Sequence, residues 1–144
     1  MDRFKILSIV AILLCSLSQA QQVSIDTEVT APFFSVLRDL RGLNVCVEET
    51  LGSKGIIVMR DDSLSLKHVA IADGAFLDDV IIIRYNQHLI EMPFKEQKFV
   101  FLHEILHHGK FYHWNRIIGM QAYSKEIPNY YEIALWEAAS LLAK

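Results

Sequence analysis

Residues 94–108 read Phe-Lys-Glu-Gln-Lys-Phe-Val-Phe-Leu-His-Glu-Ile-Leu-His-His, between Pro93 and Gly109. The stretch contains no Gly or Pro. Pro93 stands where a helix opens, and Gly109 stands where one closes. The pattern therefore predicts a helix over Phe94–His108. Phe101, Leu102, Ile105 and Leu106 fall on one flank and form its core-facing stripe. His103 and His107 are four residues apart, so a helix stacks them on one face. Both imidazoles can then address a single metal ion. Glu104 lies on the adjoining flank, close enough to take a proton from a water at that ion without being a ligand. His-Glu-x-x-His on a helix is the arrangement a zinc hydrolase needs: two neutral nitrogen ligands, an open position and a general base.

Catalytic zinc takes a third protein ligand. Three residues compete for the role. Glu132 and Glu137 lie on the final predicted helix, and Glu132 is the preferred choice. His113 follows His103 by ten residues, the return distance of a tight turn. Glu132 also has a competing use as a helix cap. Glu137 sits among Ile133, Ala134 and Leu141, where a carboxylate is costly to bury unless paired or coordinated. His108 points about 100° away from His107 and is read as a surface or substrate-side residue. His68 and His88 have no partner at ligand spacing. Tyr112, Tyr123, Tyr130 and Tyr131 could each supply a phenol to an oxyanion, and the sequence does not choose among them.

The amino terminus reads as a leader. Arg3 and Lys5 precede the apolar run 6–15, and Ser18-Gln19-Ala20 is a small-x-small cleavage pattern. The run is too short to cross a bilayer. Residues 1–20 are therefore expected to be a secretory signal peptide, and 21–144 one domain with one core. A secreted or periplasmic destination follows, with no stable membrane insertion after cleavage. The whole chain carries 14 Lys and Arg against 17 Asp and Glu, a formal net charge of −3. No basic stripe interrupts that balance, so nucleic acid is excluded as an expected partner. Of the two cysteines, Cys15 lies in the leader. Cys46, flanked by Val45 and Val47, reads as a core residue of a strand.

Along the rest of the chain, 21–30 is polar and reads as a loose lead-in. Residues 32–40 have helical spacing, with Gly42 as terminator. Strands are expected at 43–48, 55–59, 66–72 and Val80–Tyr85. A last helix is expected over 130–143, with Asn129 and Glu132 forming a capping-box pair. The expected architecture is a small α+β, zincin-like domain: a short mixed sheet with an N-terminal helix, the HExxH helix and a C-terminal helix. The segment 66–72 is the expected edge strand for substrate.

The run Ile81-Ile82-Ile83-Arg84-Tyr85-Asn86, then the helix into His103-Glu104-Ile105-Leu106-His107, resembles the ImmA/IrrE family of gluzincin-like metallopeptidases. Glu132, Ala134, Ala138-Ala139 and Leu141-Leu142 are similar to that family's Glu-bearing helix. The resemblance implies His103 and His107 as zinc ligands, Glu104 as general base and a Glu of the last helix as third ligand. It covers about half of the domain. Its expected substrate is a peptide or protein. Two other functions fit the same residues: a non-catalytic metal- or partner-binding module, and a cell-wall peptide amidase.

Overall fold

The computed structural model describes residues 22–53, 55–64, 69–73, 80–108 and 128–143. The expected signal peptide and its cleavage site lie outside these residues, as do His68, Tyr112, His113 and Tyr123. The chain is an α+β domain built on a four-stranded mixed sheet in the order β1-β2-β4-β3. The strands are β1 (Gln22–Ile25), β2 (Gly55–Arg60), β3 (Ala70–Asp73) and β4 (Val80–Tyr85). β1 runs parallel to β2 and β2 parallel to β4, while β3 is antiparallel to β4. Parallel neighbours need a crossover. Helix α1 (Thr30–Gly42) provides one between β1 and β2. The remaining helices are the single turn α2 (Val47–Thr50), the short α3 (Gln87–Glu91), the motif helix α4 (Phe94–His108) and α5 (Tyr130–Leu142).

Over the described residues β4 and α4 match the sequence reading, with Asn86 following β4 and Pro93 preceding α4. Along β4 the burial alternates, with Ile81, Ile83 and Tyr85 buried. In the parallel register Ile56 and Val58 of β2 face Ile81 and Ile83. Those side chains join one core with Phe33, Leu40, Phe101, Leu102, Ile105 and Leu106. Phe33 and Phe101 meet edge to face at 5.4 Å and lock α1 to α4.

Several local readings change. The lead-in is not loose: Val23 and Ile25 pair with Ile56 and Val58, making 22–25 an edge strand. The segment 43–48 is not a strand. Asn44 takes a left-handed conformation (φ 64°), its N–H bonds Arg41 O, and the Val45 N–H bonds Leu40 O. That is a Schellman closure of α1, with Val45 packing back on the core. Gly42 therefore lies inside the helix and Asn44 ends it. Cys46 precedes the turn of α2 rather than sitting in a strand, and it is only half-buried. Asn129 makes no side-chain cap on α5, so the expected capping box does not form. The third strand is β3, offset toward the carboxyl end of the expected 66–72, and it is an edge strand.

α3 was not anticipated. Asn86 caps it by accepting the His88 N–H at 3.0 Å. Gln97 of α4 then donates to Ile90 O and Met92 O, closing the corner between α3 and α4.

One polar joint unites the three long helices. Asp39 of α1 accepts the Tyr131 hydroxyl at 2.7 Å and pairs with Lys98 of α4 at 2.6 Å. The Lys98 ammonium also lies 4.3 Å from the Tyr131 ring centre. Burial, aided by the bond to Asp39, pushes the Tyr131 phenol well above its ordinary value, so it remains a donor. Asp39→Ala leaves a largely buried ammonium and a buried hydroxyl without their acceptor. It should lower the unfolding free energy by about 2 kcal/mol. Urea denaturation measures this directly, and a change below about 0.5 kcal/mol would mean that apolar packing alone holds the helices together.

Candidate metal centre

The site begins with what α4 must bury. Phe101, Leu102, Ile105 and Leu106 are fully buried. Helical geometry then places His103 and His107 at the margin of the core, and both are half-buried. Their Nε2 atoms lie 2.9 Å apart. The rings meet at 73° with centres 4.7 Å apart. As two bare rings, one Nε2 donates to the other. Two nitrogens ligating one tetrahedral zinc sit about 3.3 Å apart, from Zn–N distances near 2.05 Å. A shift of a few tenths of an ångström separates the two arrangements.

Burial, with the His107 ring as a smaller second cause, pushes the His103 pKa down to about 4. Burial lowers His107 as well. Both imidazoles are therefore neutral at pH 7, and a metal ligand must carry that free lone pair. Glu104 lies beside them on α4 and is buried, with 7% of its surface exposed. β3 packs against α4, and among the described residues its only partner strand is β4, so it is an edge strand there.

Glu132 is placed elsewhere. Its carboxylate lies 3.7 Å from the Lys95 ammonium and is more than half exposed. Lys95 also contacts Pro128 O and the Tyr130 ring, so its head marks the start of α5. Lys95 precedes His103 by eight residues, about 12 Å along the helix axis. The structure does not bring Glu132 to the two histidines. Glu137 is half-buried and lies about 7.5 Å farther along α5. Among the described residues no three of His, Cys, Asp and Glu come together as a metal-binding group. His113 lies outside the described residues.

Two of the four tyrosines can be placed. Tyr130 packs edge to face on Phe99, with centres 5.5 Å apart. Tyr131 gives its hydroxyl to Asp39. Both are buried at the start of α5 and serve packing. His108, expected at the surface, is half-buried, with its Nε2 3.1 Å from Ile82 O. Spacing within the helix could not reveal this contact, because the partner is a backbone carbonyl of β4.

Comparison with models of known families, with curated proteins and with solved structures returned no match. No helix among the described residues is long and apolar enough to cross a membrane.

An exposed ion pair contributes little to stability. Glu132→Ala is expected to change the unfolding free energy by less than about 0.5 kcal/mol. A thermal melt shifted by ten degrees would show instead that the Lys95 contact anchors α5.

Proposed function

We propose that this chain is an exported zinc-dependent metallopeptidase, with His103 and His107 as ligands and Glu104 as general base. One observation carries the reading: two neutral imidazoles with Nε2 atoms 2.9 Å apart, on a helix that also buries a carboxylate next to them. The donor chemistry fits zinc, which favours neutral imidazole nitrogen. A bound zinc ion would polarise the scissile carbonyl and make water acidic enough to attack at neutral pH. Glu104 takes the proton of the attacking water and returns it to the leaving amine. Its buried position keeps that carboxylate close to the reacting atoms. The open edge of β3 offers backbone groups to an extended peptide, which would add as a further strand. The leader pattern of residues 1–20 supports export, and the His-Glu-x-x-His motif favours a peptide or protein as substrate.

The third donor is proposed to be His113, or Glu137 after a movement of α5, since neither glutamate groups with the two histidines among the described residues. A ligating Glu132 would have to leave Lys95 and cross about two helical turns. Glu132→Ala should therefore keep the metal, while Glu137→Ala or His113→Ala releases it. Loss from Glu132→Ala alone would move α5 from the position described above and restore the ligand order of the resembled family.

Purified protein is expected to hold about one zinc per chain, and either His103→Ala or His107→Ala should lose most of it. Glu104→Gln keeps size and one hydrogen-bonding oxygen but removes the base. It should retain zinc while peptide turnover falls by about 10²–10⁴. A peptide-library screen first supplies the substrate. Unchanged turnover in Glu104→Gln would rule out the general-base role. Zinc binding without turnover of any peptide would favour a non-catalytic binding module.

A further inference from the structure

We infer that His108 is a positioning residue: its bond to the Ile82 carbonyl fixes the last turn of α4 against β4 and so holds His107 at ligand spacing from His103. The inference rests on the proposed zinc pair and deepens it.

The need for such a link follows from where His107 lies. α4 is described as far as His108, and the sequence places a helix-stop signal at Gly109, so His107 lies on the turn next to that stop and His103 on the one before. The last four carbonyls of a helix lack intrahelical donors, and that turn frays first. One half of the metal pair thus lies on the turn beside the stop signal that Gly109 supplies in the sequence. A 2.9 Å separation between two ring nitrogens tolerates little fraying.

His108 answers this by contacting a rigid partner. Ile82 sits in β4, which is paired on both sides: Ile82 aligns with Ile57 of β2 and with Asp73 of β3. Its carbonyl can only accept, so the His108 Nε2, 3.1 Å away, carries the proton and donates. The link therefore needs no charge on the ring. Consecutive side chains diverge by about 100° around a helix. His108 can thus reach the sheet while His107 turns toward His103. The same bond sets the height of the histidine pair relative to the open edge of β3, since Asp73 is the β3 residue aligned with Ile82.

The test measures metal geometry as well as affinity. His108→Phe keeps a flat ring but removes the donor. It should bind zinc about tenfold more weakly in chelator competition, on the scale of one lost positioning hydrogen bond. The visible absorption of its cobalt(II) form should differ in shape from wild type. His108→Gln carries an amide N–H at similar reach and should restore both affinity and spectrum. If His108→Phe does not fold, His108→Asn replaces it, because its shorter amide cannot span to Ile82. Wild-type affinity and spectrum in the donor-less variant would overturn the inference alone. So would a Gln variant as defective as the Phe variant. A wild-type protein that binds no zinc would overturn this inference together with the proposed function.

Discussion

Burial of one face of α4 is the constraint on which the remaining structure depends. Phe101, Leu102, Ile105 and Leu106 are fully buried, and each such side chain contributes about 1.5–3 kcal/mol. That preference fixes the rotation of the helix about its axis. Once the rotation is fixed, the histidines have no freedom of their own. They are carried to the core margin, where they are dry enough to stay neutral and open enough to meet a small ligand. The site is thus a by-product of hydrophobic packing, refined by a few polar contacts.

Those polar contacts divide the molecule into two ends. Asp39, Lys98 and Tyr131 bind the three long helices to one another. At the opposite pole, the carboxyl ends of β1, β2 and β4 are gathered by a network around Arg60. Arg60 bonds Glu28 and Asp62, and Tyr85 reaches Asp26 and Glu28 with one hydroxyl. The hydroxyl has a single proton for two carboxylates, and Arg60 supplies both with further donors: its backbone N–H bonds Asp26 and its guanidinium bonds Glu28. Arg84 pairs with Asp61 at 2.6 Å across the start of the loop that leads to β3.

Legibility in the sequence tracked how local the determining physics is. The motif helix and β4 could be read because their periods run uninterrupted and their ends carry strong stop signals. The paired histidines followed from four-residue spacing alone. β1 was illegible, because Gln22-Val23-Ser24-Ile25 is weakly patterned and owes its strand to Ile56 and Val58, more than thirty residues away. The 43–48 segment misled because Val45 and Val47 alternate as in a strand. Both are indeed buried, but Asn44 in the left-handed region commits the backbone to closing a helix instead. The pairing of Glu132 with Lys95 and the His108 contact depend on how elements approach one another, which no window of sequence contains.

The network at the strand ends also makes the sheet unequally tolerant of acid. The Ser63 hydroxyl and N–H, together with Arg84, hold the Asp61 carboxyl below its ordinary value. A carboxyl with a depressed folded pKa contributes its stability in full above the unfolded value. It loses that contribution as the pH falls through the lower, folded value. Protonation there releases Arg84 and Ser63 together, at the root of the chain segment that carries β3. His103 on α4 responds to acid too: burial holds its pKa at about 4, so stability is lost as the pH falls from the ordinary imidazole value toward that one. Two separate acid responses are therefore built into the domain: one at the histidine pair on α4, beginning below the ordinary imidazole value, and one at the root of β3, below the ordinary carboxylate value.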